Sequence, residues 1–586
     1  MMTYAIDFET YYDKKVSIGE LGIHHYLRHY DCEIYMVSIY SDEAGFSYVG
    51  EPAGVDWHVL HGQRIVAHNA RFDRACFLRL QELGVIPADV VPGEWVCTAD
   101  MASALSVGRS LKEAVATLLG MDISKKTRTD MCGLNWEQLK EKGMAEEVAT
   151  YCLKDAWLCH RLWAGYSHLW TERERKLSQL TRDMCDYGVY VDSGLVQEGR
   201  LALLGVMEAA ANLIPWAANP DNPILSPKLL RAECDKVGIT APSSLAADSE
   251  ECAAWEEKYG ATYPWVGAMR DYRRANTLCK KLDTLASRIR EDGTFSYGLK
   301  YFGAHTGRWS GDAGFNVQNM PRTAMFGVDM RRMIIPRPGC TFVISDLGQI
   351  EQRVLSWLAG DNAMMELLAT GVSVYEAHAR ATMGYTGTEP LKHAAPDLYR
   401  LAKARVLGLG YGAGPSVFPA IAKVMAGLEV KPLEAQRIVR EFRNSNPLIC
   451  QLWTKLERAL SLTKSGADFT LPLPSGRMLY YRRVTRTPKG LTAEVQGKRQ
   501  AFFGGKLAEN LSSATARDVL GDILLRLDSA GYRVVMHIHD EVVVEVPIEQ
   551  AEAAAEAVTR IMTTTPDWLE GLPLTAETII SPHYTK

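Results

Sequence analysis

The stretch Thr341-Phe342-Val343-Ile344-Ser345-Asp346-Leu347-Gly348-Gln349-Ile350-Glu351-Gln352-Arg353 decides how the chain is read. Its first five residues are mostly apolar or β-branched and predict a buried strand. Asp346 arrives at the end of that strand, and a helix opens shortly after it. A carboxylate at the end of a rigid strand is a good place to hold a metal ion. A companion lies far downstream, in Met536-His537-Ile538-His539-Asp540-Glu541-Val542-Val543-Val544-Glu545-Val546. Two apolar runs there flank a polar tip, which reads as a β-hairpin. Polar residues at a hairpin tip are ordinarily turn formers. Set beside Asp346, they become the second half of a carboxylate pair. Two carboxylates bridging two Mg²⁺ ions suit phosphoryl transfer, in which the protein has little covalent work to do.

A second acidic set opens the chain. In Tyr4-Ala5-Ile6-Asp7-Phe8-Glu9-Thr10, strand alternation puts Asp7 and Glu9 on one face. Alone, such a pair is usually a solvent-facing edge. Asp73 follows in His68-Asn69-Ala70-Arg71-Phe72-Asp73, after the apolar strand Arg64–Ala67, and in Tyr151-Cys152-Leu153-Lys154-Asp155 helical spacing stacks Tyr151 over Asp155. Hydrolysis of a phosphodiester by two hard cations needs several oxygen ligands and a group to orient water. These residues supply both.

Between the two halves of the first pair lies Tyr399-Arg400-Leu401-Ala402-Lys403-Ala404-Arg405-Val406-Leu407-Gly408-Leu409-Gly410-Tyr411-Gly412. Four-residue spacing predicts a helix with Lys403, Leu407 and Tyr411 on one face and Arg400 nearby, along which a triphosphate fits. The plain alternative is a solvated helix face, and no Walker-type loop accompanies it. Glycines 408, 410, 412 and 414 make its end easy to bend. Another segment of helical spacing, Met269 to Arg290, sets Arg270, Arg273, Arg274, Lys280, Lys281, Arg288 and Arg290 against only Asp271 and Asp283.

At 586 residues the chain requires several domains. Its 47% hydrophobic and 23% charged content is that of soluble globular protein, which argues against disordered or fibrous architectures. The 12 cysteines show no paired CxxC spacing and read as reduced thiols. A net charge of −5 gives no nucleic-acid signal, because phosphate binding depends on locally concentrated cations. With no cationic leader and no long apolar run at the start, the expectation is a soluble cytoplasmic enzyme.

The N-terminal set resembles the DEDD family of 3′→5′ exonucleases, in the subclass whose third motif carries Tyr. The resemblance makes Asp7, Glu9, Asp73 and Asp155 metal ligands, Tyr151 the water-positioning tyrosine and Asn69 a DNA contact. The remaining stretches resemble the family A DNA polymerases, of which DNA polymerase I is the type member. That family's first motif is commonly written DYSQIELR, of which Asp346, Gln349, Ile350, Glu351 and Arg353 are kept; its HDE motif is intact as His539-Asp540-Glu541. By that resemblance Asp346 and Asp540 hold the catalytic metals with Glu541 beside them, His539 contacts DNA, and Glu351 blocks a 2′-hydroxyl. Lys403 and Arg400 would hold the triphosphate. Tyr411 and Leu407 would line the nucleotide site. The family pattern RxxxKxxxFxxxYG is departed from twice, with the arginine one place late at Arg400 and Leu407 in place of the stacking aromatic. His305-Thr306-Gly307-Arg308-Trp309-Ser310 and Asn316-Val317-Gln318-Asn319-Met320-Pro321-Arg322 resemble stretches that contact primer and template, with Arg308, Gln318 and Asn319 as the contacts. Arg273 and Lys281 fall where the family has its thumb. Ser513 stands where many relatives have a template-contacting Gln.

The fold implied is multidomain α/β and α+β: an RNase H-like 3′→5′ exonuclease domain (1–168), then a right-hand polymerase with a helical thumb region (169–293), a first palm part (294–360), fingers (361–500) and a second palm part (501–586). The implied function is template-directed DNA synthesis with 3′→5′ proofreading. It would use two Mg²⁺ ions at each site, Mn²⁺ being a substitute. Partners would be primer–template DNA, dNTPs and replication accessory proteins, and the chain is expected to be a monomer. Because the exonuclease motif begins at residue 7, there is no room for the 5′-nuclease domain of many bacterial relatives, which suggests a bacteriophage enzyme. The rival readings are an exonuclease whose C-terminal region only grips DNA, and a non-catalytic nucleic-acid clamp.

Overall fold

The structure is a computed structural model. It describes every residue except 125, 247, 248, 313, 314, 489 and 586. The N-terminal part is built on a five-stranded sheet, order β3-β2-β1-β4-β5, of β1 (Thr3–Thr10), β2 (Ile34–Ser41), β3 (Phe46–Gly50), β4 (Arg64–Ala67) and β5 (Glu94–Cys97). β1 pairs antiparallel with β2 and parallel with β4, so it lies at the centre. Ile6 and Phe8 on this strand are buried, while Asp7 and Glu9 alternate with them and stay partly open. That alternation is why one strand serves both core and site. Helices α1 (Ala70–Glu82) and α2 (Ala145–Tyr166) bring the remaining acids to it.

Beyond this layer, α3 (Glu172–Tyr187) does not join the helices that follow it. It is tied to α1 by Arg71 to Asp186 at 2.7 Å and Arg74 to Asp183 at 2.8 Å. On its other side it enters a buried ion network described below. The long helices α4 (Ser193–Ala211) and α5 (Pro264–Ser287) pack on one another. The cationic stripe read on the second of these is largely consumed internally. Arg270 and Arg274 reach Glu256, Arg288 donates to the carbonyls of Gly19 and Glu20, and Arg290 donates to the Asp186 carbonyl. Arg273, Lys280 and Lys281 carry no ion pair among the described residues, and Arg273 and Lys281 are half-buried.

A four-stranded antiparallel sheet forms the floor of the C-terminal half. Its strands are β6 (Cys340–Leu347), β7 (Arg533–Ile538), β8 (Glu541–Pro547) and β9 (Ala576–Ser581), in the order β7-β8-β6-β9. The buried Phe342, Val343, Ile344, Val543 and Val544 explain the unbroken apolar runs of the sequence, since this sheet is covered on both faces. Helix α6 (Ile350–Leu358) leads out of β6, and α7 (Pro396–Ala404) follows among further helices. The helix expected through Gly412 ends at Ala404 and passes into a π-helical turn, Arg405–Leu409. That turn breaks the simple four-residue register of Lys403, Leu407 and Tyr411, because each π turn inserts an extra residue. A four-stranded antiparallel sheet covers Phe469–Phe502. It leads into α8 (Gly504–Ser529), most of which is buried. This helix begins with two glycines for a packing reason: a Cβ on Gly504 would lie 2.2 Å from the Trp453 carbonyl oxygen, and one on Gly505 2.1 Å from that of Tyr411. No helix among the described residues is long and apolar enough to cross a membrane.

Burial has a pH consequence in the helices around α7. His378 is 2% exposed, and desolvation, followed by the neighbouring Arg405 cation, pushes its imidazole down to about 3. The unfolded chain, with an ordinary imidazole near ~6.5, therefore binds the extra proton first as pH falls. Its contribution to stability is full above that value and declines as pH drops toward 3. Between pH 7 and pH 5 the loss amounts to about 2 kcal/mol for this group. Thermal unfolding of wild type and His378→Gln at both pH values checks it. The variant should show the smaller acid shift, and equal shifts would contradict the assignment.

Candidate active sites

The first site forms where β1, α1 and α2 meet. Asp7, Glu9, Asp73, Asp155, Tyr151 and Asn69 all line one cavity of about 530 Å³. Asp73 is 2% exposed and accepts a hydrogen bond from the Phe8 amide at 3.3 Å, which fixes it against β1. Asn69 starts α1 in a left-handed backbone conformation, φ 89°, which turns the chain from β4 into the cavity wall. Tyr151 and Asp155 project from one turn of α2, as their spacing predicted.

The electrostatics of this cavity call for a cation. Burial, then the charges of Glu9, Asp155 and Asp73, holds the Asp7 carboxyl well above its ordinary range. Burial and Asp155 push Glu9 up to about 8, and burial pushes Asp73 to about 8. Four carboxylates this close oppose one another's ionisation, and a divalent ion bound by hard oxygen ligands relieves that repulsion. The donor set therefore fits Mg²⁺ or Mn²⁺. Two features were missed from sequence. Arg128, whose charge favours ionisation of Glu9, lines the same cavity. Cys152 brings its sulfur within 4.8 Å of Asp7 and Glu9 oxygens. Burial pushes this thiol well up, and it donates to the Asp7 carbonyl at 3.6 Å, so it acts as a neutral wall.

The second site sits at one end of the C-terminal sheet. Asp346 on β6 is paired directly opposite Glu541 on β8, and the Leu347 amide donates to the Asp540 carbonyl at 3.1 Å. Residues opposite one another on antiparallel strands share a face, so the distant carboxylates become neighbours. The hairpin between β7 and β8 has a two-residue turn, His539-Asp540, with His539 at φ 54°. A positive φ at the first turn position is what short hairpins use, and here it lifts His539 and Asp540 out of the sheet edge. Arg353 is buried beneath and donates to the carbonyls of Gly348 at 2.7 Å and Pro573 at 3.0 Å. It staples the turn after Asp346 to the segment that leads into β9.

Arg308 reaches into this site. Its guanidinium pairs with Glu351 at 2.6 Å and lies 3.7 Å from Asp540. The loop carrying it is held from below, because Arg477 donates to the Thr306 carbonyl at 2.8 Å and Arg517 to that of Gly307 at 2.9 Å. Both arginines belong to the buried ion network, in which Arg517 pairs with Glu174 of α3 at 2.7 Å and Arg477 with Asp518 at 3.0 Å. Glu351 in turn contributes to the raised pKa of the buried Tyr411 phenol, after desolvation. The other residues read for the nucleotide differ in their surroundings. Lys403 is half-buried on α7, Leu407 lies in the π turn packed toward the apolar cluster around Tyr375 and Ala402, and Arg400 is exposed and paired with Asp397. Val317–Asn319 form a single turn, with Gln318 half-buried and Asn319 exposed. Tyr584, which no sequence pattern singled out, donates its hydroxyl hydrogen to Glu541 at 2.8 Å.

The chain is 28% identical to a DNA polymerase of Bacillus phage SP02 over the full length of both. It is 26% identical to the thermostable DNA polymerase I of Thermus aquaticus over 67% of this chain and 46% of that one, about half of the bacterial enzyme. Among solved structures, the POL domain of Pol1 from M. smegmatis, in complex with DNA primer-template and dNTP, superposes with a TM-score of 0.68 at 17% identity, covering 99% of this chain and 95% of that one. The sequence model of DNA polymerase family A matches residues 249–586, more than half of the chain, and this protein belongs to DNA polymerase family A.

Proposed function

We propose that this template-directed DNA polymerase works with two separate phosphoryl-transfer centres, a synthetic one at Asp346, Asp540 and Glu541 and a 3′→5′ proofreading one at Asp7, Glu9, Asp73 and Asp155. The observation that carries the synthetic centre is the strand pairing of Asp346 with Glu541 beside Asp540. The observation that carries the nuclease is the single cavity that all four N-terminal carboxylates and Tyr151 line together. Divalent cations held by these oxygens would favour deprotonation of the attacking hydroxyl or water and neutralise charge on the leaving group.

In the synthetic centre the chain's own residues set position and selectivity. Glu351, at the start of α6 and paired to Arg308, would meet the sugar of an incoming nucleotide, where its side chain would exclude a 2′-hydroxyl. Lys403 supplies positive charge for the triphosphate. Arg308 would exchange Glu351 and Asp540 for the primer–template once DNA enters. Primer–template DNA and dNTP are the ligands held by the M. smegmatis relative, and we assign them to this chain on the same fold. In the nuclease centre the Tyr151 phenol, held protonated by burial and by Asp155, is a hydrogen-bond donor at any working pH and suits orientation of a water. The boundaries set out above for exonuclease, thumb, palm and fingers are proposed on the same grounds.

Incubation with primed template, dNTPs and Mg²⁺ tests the reading. The primer should lengthen, and omission of dNTPs should leave net 3′ trimming. A chain that trims without ever extending would support the grip-only alternative. Leu407 gives a finer prediction. A branched aliphatic offers less flat surface to a base or sugar than the aromatic of relatives. Leu407→Tyr should change the ratio of 2′,3′-dideoxynucleotide to dNTP incorporation several-fold, about 1 kcal/mol, the worth of an aromatic contact. Competition in single-nucleotide extension measures this, and an unchanged ratio would contradict it.

A further inference from the structure

Glu541 is 1% exposed, and a buried carboxylate that is to act must be held in one orientation. Its Oε1 accepts the hydroxyl hydrogen of Tyr584 at 2.8 Å. Tyr584 is itself 1% exposed and lies just beyond β9, the strand that pairs with Asp346 on its other side. The ring is fixed from three directions. Its amide donates to the Ile334 carbonyl at 2.8 Å, the Arg331 guanidinium lies 5.1 Å from the ring centroid, and the turn before it is closed by Ser581 donating to the His583 carbonyl at 2.7 Å. Arg331 also donates to the Pro321 carbonyl at 3.1 Å, next to the segment that carries Gln318 and Asn319.

We propose that Tyr584 is a positioning residue for DNA synthesis, its hydroxyl orienting Glu541 toward the space shared with Asp346 and Asp540. A rigid phenol anchored by backbone and cation fixes a carboxylate rotamer far better than water does, because its own freedom is already spent. The inference rests on the reading of Glu541 as part of the synthetic centre.

The test compares Tyr584→Phe, Glu541→Gln and the double variant in single-turnover extension, each with the melting temperature and the Kd for primer–template. Tyr584→Phe removes one oxygen and leaves the packed ring. The expected result is a maximal extension rate about tenfold lower, the size of one lost hydrogen bond to a charged group, with dNTP KM, DNA Kd and melting temperature nearly unchanged. Acting through Glu541, the change should cost little more when added to Glu541→Gln. A full-speed Tyr584→Phe, a loss that multiplies with that of Glu541→Gln, or a loss that only follows a fallen melting temperature would each overturn the proposal. If Glu541→Gln itself runs at full speed, the reading of Glu541 fails. If it is slow while Tyr584→Phe is not, only the role of Tyr584 fails.

Discussion

Asp540→Ala should abolish primer extension, lowering it by about a thousandfold or more, while the expected 3′ trimming of single strands continues. The magnitude follows from the chemistry. A carboxylate that holds a metal in phosphoryl transfer stabilises charge on both the attacking and leaving oxygens, and a loss of about 4 kcal/mol is about three decades in rate. The specificity follows from position. Asp540 lies at the tip of a hairpin whose strands are buried and paired to β6, so replacing a partly exposed side chain at the turn leaves the sheet intact. The Arg308 guanidinium would lose one of its two acidic neighbours and keep Glu351 at 2.6 Å. Primer–template binding should therefore survive, which a gel-shift assay checks. A variant that neither extends nor trims would point to misfolding, and one that extends normally would remove Asp540 from the mechanism.

Asp7→Ala should do the converse. Trimming falls by about a thousandfold, on the same reasoning for a metal ligand, and extension continues. The variant carries a second signature in stability. In the metal-free protein the Asp7 carboxyl is held well above its ordinary range, with Glu9 and Asp73 at about 8, so the folded state holds protons that the unfolded state releases near pH 4. The sign is that of a raised carboxylate. Stability falls as pH rises from about 4 to about 8. Removing Asp7 takes away one repelling charge, so the EDTA-treated variant should melt higher than wild type at pH 8, and Mg²⁺ should raise wild type more than the variant. Equal melting temperatures under EDTA would contradict a repulsive acidic cluster. Loss of extension in Asp7→Ala would contradict two independent centres.

What was legible in the sequence divides along physical lines. Asp7, Glu9 and Asp346 sit on strands whose alternation or termination is local, so period and position alone put Asp7 and Glu9 on one face and Asp346 near a strand end. The hairpin around Asp540 announced itself by two valine-rich runs around a polar pair. Tyr584 and Arg128 come from segments without such periodicity, and only the closed tertiary structure brings them to Glu541 and Glu9. The four-residue register of Lys403, Leu407 and Tyr411 assumed an unbroken α-helix, which the π turn at Arg405–Leu409 interrupts. The sheet over Phe469–Phe502 carries its own turn signals, at Pro488 and Gly490 and at Gln496-Gly497, and alternation in Leu491–Val495. The cationic stripe around α5 is less open than its composition implies. Composition counts cations, but Arg270 and Arg288 are buried and spend their charge on Glu256 and on backbone carbonyls.

The joint hold of Asp346 and Asp540 on the same ions is most directly tested by counting Mn²⁺. The measurement is electron paramagnetic resonance titration of Asp7→Ala protein, which silences the N-terminal cavity, with primer–template and a non-incorporable nucleotide. Two tightly bound ions are expected, with Asp346→Asn and Asp540→Asn each losing tight binding of both. Undiminished binding in either variant would mean that the two carboxylates do not serve one metal centre.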